Sequence, residues 1–299
     1  MKSAPRAVPR LQSRCVASLP PLHAAFAPPR SLRCVTLDVT GTILSFQGKL
    51  GEWYALAAAR SGLSLSCGPK EIEKAFKLAY KELCASSPCF GGDEMTTRSW
   101  WRLVVLRSFE LAGERLSAAE QERVFQRVYS LFGSHSTYKA FDDAKPFLKW
   151  CHRRGLVTGV ISNADERYMD DILPLLNLDV HIDFFECSKR TLCEKPDPRM
   201  FGAALSQANE VAKMQGDYSP IKACEVLHIG DSLEKDFGGA VAAGWNAVLL
   251  DRFGQPEWTR RSRAAGAAAF TDLVEVVEFL GRAQVALPAG ELSGVSYNV

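Results

Sequence analysis

The sequence predicts an α/β protein with a doubly wound parallel sheet, which an all-helical segment interrupts after the first strand. Five short apolar runs show little alternation between apolar and polar residues, as is typical of strands covered on both faces. Helical patterns separate the later runs, and this alternation favours right-handed crossovers into one parallel sheet. The five predicted strands are residues 34–39, 157–162, 183–188, 226–230 and 246–251.

Residues 48–135 break this alternation because they contain helical patterns only. Ile72, Phe76 and Tyr80 recur at helical spacing, and Ser117 with Glu120 forms a capping box at the start of a further helix. The aromatic stripe predicts the packed core of a helical bundle. Four aromatic residues are candidates either for this packing or for facing a cleft: Trp53, Tyr54, Trp100 and Trp101.

The two ends of the chain are predicted to lie outside the folded core. Residues 1–37 carry six basic residues and no acidic ones, and prolines interrupt any helix there. Residues 1–31 are therefore predicted to be an organellar transit peptide, for chloroplast or mitochondrion, or else the disordered leader of a cytoplasmic protein. The predicted units are the leader 1–31, an α/β core at 32–47 and 136–285, the helical insert 48–135, and a loose tail 286–299.

Net charge, apolar runs and cysteine spacing argue against several classes of protein. After residue 37 the chain holds 30 basic and 34 acidic residues, a net charge of −4, which gives no reason to expect a nucleic-acid partner. No apolar run approaches the roughly 18 residues of a membrane span, so no membrane partner is expected. The nine cysteines include no C-x-x-C pair, which argues against a zinc site or a disulfide framework.

Four groups of polar residues lie at the carboxyl ends of the predicted strands. In an open α/β sheet this edge is where ligands bind. Taken singly, each residue could equally be a helix cap, a turn former or a solvated charge, but their joint occurrence favours a site. The groups are Asp38; Ser162 and Asn163; Lys195; and Asp231 with Asp236.

In their order and spacing, these groups resemble the haloacid dehalogenase-like (HAD) hydrolase superfamily, which includes phosphatases. The resemblance covers residues 32–285, and the helical insert stands where that family has its C1 cap domain. The "SWW" of the insert and the motif spacing are most similar to the type-3 group of HAD-like hydrolase domain-containing proteins. The resemblance implies a Rossmann-like core and a hydrolase that acts on a small phosphorylated metabolite.

The acidic residues are predicted to supply the nucleophile and a metal site. A carboxylate at a strand end, here Asp38, can attack phosphorus and form an aspartyl-phosphate. Asp38 and Asp231 could hold one Mg²⁺, a hard cation that suits carboxylate and phosphate oxygens. The resemblance implies that the backbone carbonyl of Thr40 also binds the metal. Asp236 is expected beside them, orienting metal-bound waters or the catalytic lysine.

The remaining residues are predicted to bind the transferring phosphoryl group, whose dispersed negative charge requires a cation and hydrogen-bond donors. Ser162 and the amide of Asn163 would donate to phosphate oxygens. Lys195 would neutralise Asp38 and the phosphate together. His228 lies on a predicted strand and is expected to be a core histidine rather than a base.

Thr40 departs from the phosphatase pattern, because members with phosphatase activity usually carry Asp-x-Asp at this motif. The second Asp gives a proton to the leaving group and later takes one from water, and such help is typically worth about 10²–10⁴-fold. Threonine cannot do this near neutral pH. Three outcomes stay open: a slow phosphatase selective for aryl or acyl leaving groups, a proton donor from elsewhere, or a non-catalytic regulatory protein that binds phosphate and metal. A 2-haloacid dehalogenase is disfavoured because Gly230-Asp231 is present.

Overall fold

The computed structural model describes residues 32–254 and 266–282. The predicted leader at 1–31 and tail at 286–299 lie outside the described residues, so organellar targeting stays a prediction. Within the two described ranges, none of the helices combines the length and apolar character needed to cross a membrane.

The predicted doubly wound parallel sheet is confirmed. Six strands form it in the order β5-β4-β1-β6-β7-β8, and every neighbouring pair is parallel. A second, antiparallel sheet pairs β2 with β3. In chain order the strands are β1 (Cys34–Leu37), β2 (Leu44–Phe46), β3 (Tyr138–Ala140), β4 (Val157–Ser162), β5 (Phe184–Cys187), β6 (Val226–Gly230), β7 (Asn246–Leu250) and β8 (Ala269–Phe270).

Helices cover the main sheet on both faces, which explains the unbroken apolar character of its central strands. Val35 and Leu37 of β1 join one hydrophobic cluster, and Cys34 joins the cluster on the opposite face. The described helices are α1 (Leu50–Arg60), α2 (Pro69–Ser86), α3 (Pro88–Gly91), α4 (Thr97–Leu111), α5 (Ala118–Leu131), α6 (Ala144–Arg153), α7 (Leu173–Leu175), α8 (Ser188–Thr191), α9 (Pro198–Met214), α10 (Gly239–Ala242) and α11 (Leu273–Arg282). Helices α6 and α11 contribute to the first cluster, and α9 and α10 to the second.

Helices α1 to α5 lie together between β2 and β3 and have hydrophobic clusters of their own. Tyr54, Phe109 and Phe125 are buried at the centre of one of them. The predicted capping box is confirmed at the start of α5. There the Ser117 amide donates to Glu120 Oε2 at 2.8 Å, and the Glu120 amide donates to Ser117 Oγ at 3.4 Å.

Three strands and the form of two helices differ from the sequence-based prediction. Strands β2, β3 and β8 have only two or three residues each, too few for an apolar pattern to reveal them. The segment after β4, predicted as a regular helix, forms a π-helix over Tyr168–Ile172 and then α7. Pro174 has no amide hydrogen to donate to the carbonyl four residues earlier, which prevents a continuous α-helix. A second π-helix over Leu233–Gly238 precedes α10.

Candidate active site

The strand ends of the main sheet converge on one pocket. Leu37 of β1 is in register with Val160 of β4 on one side and with Ile229 of β6 on the other. The residues that follow these strands therefore meet at the same edge of the sheet. A pocket of about 220 Å³ lies there, and its walls include all seven predicted site residues: Asp38, Thr40, Ser162, Asn163, Lys195, Asp231 and Asp236.

Lys195 lies at the centre of the pocket floor and is almost fully buried. Its Nζ donates to Asp38 Oδ1 at 2.7 Å, to Asp236 Oδ1 at 2.6 Å and to the carbonyl of Ile161 at 2.7 Å. Burial alone would lower the pKa of Lys195, but the charges of Asp236 and Asp38 outweigh it and raise the pKa above its ordinary value. The lysine is therefore charged at neutral pH and shared between two carboxylates.

The three aspartates respond differently to this single cation. Burial raises the pKa of Asp38, although Lys195 opposes the shift. Burial would also raise the pKa of Asp236, but the Lys195 charge and the His228 hydrogen bond lower it well below its usual range. Partial burial, with the neighbouring charges of Asp38 and Asp236, raises the pKa of Asp231 to about 7. The buried cation of Lys195 thus lies among three carboxylates and pairs with two of them, Asp38 and Asp236.

This arrangement fits a divalent cation. One carboxylate oxygen from each of Asp38, Asp231 and Asp236 lies within 4.8 Å of the others, and with Lys195 the ionised group carries a net charge of −2. Both oxygens of Asp236 already accept hydrogen bonds, Oδ1 from Lys195 and Oδ2 from the Ser232 amide. Asp38 and Asp231 are therefore the better candidates for direct contact with Mg²⁺, and Asp236 is suited to orienting Lys195 and metal-bound waters.

The turn after Asp38 requires glycine because it passes directly against Asp231. Gly41 has a φ of +87°, and a Cβ atom built on it would overlap Oδ2 of Asp231. The same crowding occurs at Gly230, where a Cβ atom would overlap the carboxyl group of Asp236. Gly41 thus lets the loop after β1 approach Asp231, and Gly230 lets the loop after β6 fold back so that Asp236 lies against it.

Asn163 fixes the loop that carries Lys195. Its Nδ2 donates to the carbonyl of Lys195 at 3.0 Å, and its Oδ1 accepts from the amide of Lys195 at 2.7 Å. This reciprocal pair ties the lysine to the end of β4 over 32 residues of sequence. The Asn163 side chain thus positions Lys195, whereas the phosphate contacts predicted for its amide and for the Ser162 hydroxyl stay predictions.

Tyr168 is a site residue that the motifs did not reveal. Its hydroxyl lies 3.0 Å from Thr40 Oγ1, so two neutral hydroxyls stand where phosphatases of the resembled family carry a carboxylate. Burial raises the pKa of Tyr168, so it is a hydrogen-bonding group rather than a base at neutral pH. Lys235, which also lines the pocket, was missed too. Tyr168 sits six residues after Ser162, at the start of the element that leaves β4, and this position is the signal that could have found it.

His228 is a core histidine, as its strand position predicts. It is fully buried, and its Nδ1 lies 2.8 Å from Thr36 Oγ1 while its Nε2 lies 3.2 Å from Asp236 Oδ1. Burial lowers its pKa, so the neutral ring supports Asp236.

The helical insert contacts the segment that follows β4. Trp101 Nε1 of α4 donates to Asp165 Oδ2 at 2.5 Å, and Thr97 Oγ1 donates to Glu166 Oε1 at 2.6 Å. A third contact comes from Lys189 of α8, whose Nζ donates to three backbone carbonyls between residues 90 and 95. The insert therefore lies over the sheet edge that carries the pocket. Trp100, by contrast, is fully buried within the insert.

Comparisons with known proteins agree with this architecture. The family model described as haloacid dehalogenase-like hydrolase matches residues 32–244. The chain is 34% identical over 220 residues to the mouse haloacid dehalogenase-like hydrolase domain-containing protein 3, covering 73% of this chain and 82% of that protein. The human protein of the same name is 35% identical with the same coverage.

Two solved structures share the fold at low sequence identity. A HAD phosphatase from Thermococcus onnurineus is 21% identical with a TM-score of 0.53, over 84% of this chain and 98% of that one. A defluorinating L-2-haloacid dehalogenase is 15% identical with a TM-score of 0.61, over 86% of this chain and 99% of that one. These likenesses concern the fold alone, whereas the family match and the mouse and human relatives identify the chain as a hydrolase of the haloacid dehalogenase-like family.

Proposed function

We propose that this protein is a Mg²⁺-dependent phosphohydrolase that transfers the phosphoryl group of a small phosphate ester to Asp38 before hydrolysis. The observation that carries the proposal is the charge arrangement around the nucleophile. Asp38 pairs with the buried cation of Lys195, and one of its oxygens lies within 4.8 Å of an oxygen of Asp231, in a pocket whose net negative charge calls for a divalent ion. With a divalent ion bound, the pocket would suit a substrate whose transferring group is itself anionic.

The proposed chemistry has two steps. In the first, a carboxylate oxygen of Asp38 bonds to phosphorus, and the bond from phosphorus to the ester oxygen breaks, so that the leaving oxygen keeps the electron pair and then gains a proton. In the second, the oxygen of a water molecule bonds to phosphorus, the bond from phosphorus to the Asp38 oxygen breaks and returns its electron pair to the carboxylate, and inorganic phosphate leaves while the proton of the water passes to solvent. Lys195 offsets negative charge on the phosphoryl oxygens, and Ser162 donates a hydrogen bond to them. Mg²⁺, when bound, supplies the remaining positive charge.

Thr40 favours slow turnover, or turnover limited to certain leaving groups. General acid–base help is typically worth about 10²–10⁴-fold, and neither Thr40 nor its partner Tyr168 exchanges a proton readily at neutral pH. The same observation favours a second candidate function, a regulatory protein that binds metal and phosphate without turnover. Both functions use the same pocket and differ only in whether the phosphoryl group is transferred.

Dehalogenase chemistry is less well supported. Hydrolysis of a haloacid needs a carboxylate to attack carbon, and the substrate brings a carboxylate of its own. Dehalogenases of the family need no metal, so the carboxylate of that substrate would meet Asp38, Asp231 and Asp236 without the divalent ion that offsets the charge of a phosphate ester. The repulsion between like charges disfavours it.

The test is phosphate release by the purified protein with Mg²⁺ from a panel of aryl, acyl and sugar phosphates. Release is expected with at least one ester, with loss on addition of EDTA and in the Asp38→Asn variant. Asp142→Asn, a change at an exposed aspartate, serves as the control and is expected to keep full activity. If the wild type is inert across the panel but Mg²⁺ with beryllium fluoride raises its melting temperature, the non-catalytic function is favoured. Absence of both effects would contradict both functions.

A further inference from the structure

A second cavity lies beside the phosphate pocket, between the helical insert and the core. It has a volume of about 110 Å³. Tyr168 lines both spaces: its hydroxyl bonds Thr40 in the phosphate pocket, and its ring packs edge-on against Tyr138, with centroids 6.1 Å apart, in the second cavity. Tyr168 thus borders both spaces.

The walls of this cavity suit an apolar ring. Trp101 and Val105 of α4 line it from the insert, and Phe46 of β2 and Tyr138 of β3 line it from the other side. Its size approaches that of a hydrocarbon-lined cavity of about 150 Å³ that binds benzene. A single aromatic ring would bury its apolar surface here and gain contacts with aromatic edges and faces.

The two charged groups of the cavity, those of Asp165 and Arg167, already have partners within the protein. Asp165 accepts hydrogen bonds from Trp101 Nε1 and from the Arg167 amide. The Arg167 guanidinium donates to the carbonyl of Tyr129 at 2.9 Å and stacks over the Tyr129 ring at 3.8 Å. A sugar or glycerol moiety would lose the water bound to its several hydroxyls in a space lined mostly by aromatic and aliphatic side chains, and that loss disfavours it.

The chemistry at Thr40 points independently to the same class of substrate. Without a carboxylate to protonate it, the ester oxygen must depart as an anion or nearly so. A phenol, with a pKa of about 10 as in tyrosine, stabilises that anion far better than an aliphatic alcohol does. The missing acid and the aromatic cavity therefore select the same leaving group for separate reasons.

We propose that the substrate is an aryl phosphate monoester whose aromatic ring occupies the aromatic-lined cavity bordered by Tyr168, while its phosphoryl group lies at Asp38. The proposal rests on the proposed function, because it assigns the leaving group for phosphoryl transfer to Asp38. The bond from phosphorus to the phenolic oxygen breaks, the aryl oxide leaves with the electron pair, and it takes its proton from solvent. The bond from an Asp38 oxygen to phosphorus forms at the same centre.

The test compares three substrates in the full-length protein with Mg²⁺. Phenyl phosphate has the ring, acetyl phosphate has a good leaving group without a ring, and glycerol 3-phosphate has neither. We expect kcat/KM for phenyl phosphate to exceed that for glycerol 3-phosphate by at least about 10-fold. Equal values, or a preference for glycerol 3-phosphate, would overturn the assignment while leaving a phosphohydrolase in place.

A cavity-filling variant separates binding of the ring from reactivity of the ester. Val105 is buried and lines the cavity, so Val105→Phe is expected to lower kcat/KM for phenyl phosphate by about 10-fold and leave acetyl phosphate unchanged. Leu103 lies on the same helix but is 43% exposed, and Leu103→Phe is the matched control, expected to alter neither. Equal loss on both substrates in Val105→Phe would contradict a ring-binding role.

A binding measurement on the wild type covers the case in which the variant fails to fold. With Mg²⁺, phenylphosphonate is expected to raise the melting temperature more than methylphosphonate at equal concentration, whether or not the protein turns over esters. Equal shifts overturn the aryl assignment alone. No shift with either phosphonate, together with no phosphate release, overturns both the assignment and the proposed function.

Discussion

Removal of the Lys195 ammonium is the most informative perturbation of the pocket. Replacement by Met keeps most of the side-chain volume but leaves Asp38 and Asp236 without their cation and the Ile161 carbonyl without its donor. Lys195 and Asp236 are almost fully buried and Asp38 nearly so, so water cannot replace the lost partner without rearrangement. Breaking a buried ion pair by removal of one partner typically costs about 3–5 kcal/mol.

The stability lost in Lys195→Met should depend on pH, and the direction of that dependence follows from the pKa shifts. In the wild type, Lys195 lowers the pKa of Asp236 below its ordinary value of 3.8, so this carboxylate stabilises the fold above about pH 4 and ceases to do so in stronger acid. Without the lysine, burial raises the pKa of Asp236, and nothing offsets the increase that burial causes in the pKa of Asp38. The folded protein then binds more protons than the unfolded chain. Stability of the variant therefore falls as pH rises, and the free-energy difference from wild type is larger at pH 8 than at pH 5.

Urea unfolding in EDTA at pH 5 and pH 8, followed by circular dichroism, measures both quantities. Lys189→Met is the matched control, because Lys189 also donates three hydrogen bonds, but to carbonyls that do not titrate. Its effect should be the same at both pH values. The double variant Lys195→Met/Asp236→Asn is expected to recover about 1–3 kcal/mol at pH 8. A Lys195→Met effect that is equal at pH 5 and pH 8, with no recovery in the double variant, would refute the shared-cation account.

Three further outcomes are expected. Asp231→Asn should stabilise the metal-free protein at pH 8 but not at pH 4, since the pKa of Asp231 in the wild type is about 7. The raised pKa corresponds to at most about 4 kcal/mol of stability. Solvent screening of the exposed side chain reduces the gain expected in urea unfolding to about 1–2 kcal/mol. Destabilisation at pH 8 would contradict the raised pKa. Thr40→Asp should raise kcat for glycerol 3-phosphate by about 10²–10⁴-fold, and an unchanged kcat would indicate a proton donor elsewhere. Trp101→Phe leaves Asp165 Oδ2 without its donor and should lower stability by about 1–3 kcal/mol; a loss below about 0.5 kcal/mol would show that water replaces the indole.

Five of the six described strands of the main sheet could be predicted because each shows its pattern within its own residues, whereas β8 has only two residues and shows none. Strands covered on both faces are apolar at nearly every position, and this signal is complete within five or six residues. Strands β2 and β3 carry no such signal, since each has three residues and forms only because residue 44 pairs with residue 140. The π-helix at Tyr168–Ile172 depends on Pro174 and on packing against the rest of the core, which residue patterns do not report.

The pocket was predictable to the extent that strand ends determine it. Asp38, Ser162 and Asp231 follow strands directly, and a parallel sheet brings such positions together. Two features of the pocket could not be predicted from the sequence. Tyr168 reaches Thr40 across 128 residues of sequence, and the Asn163 side chain turned out to hold the Lys195 loop rather than to face the pocket only. Both depend on the exact direction of a side chain, which residue spacing does not specify.

Electrostatics explain why a neutral residue at position 40 suits this pocket. Asp38, Asp231 and Asp236 already share one lysine, and a fourth carboxylate beside the nucleophile would add repulsion that only a bound cation offsets. Thr40→Asp is therefore expected to raise turnover and to lower metal-free stability at the same time, and its urea midpoint in EDTA at pH 8 should fall below that of the wild type. The Thr40–Tyr168 pair avoids this repulsion, and a leaving group that departs without a proton makes the missing acid tolerable.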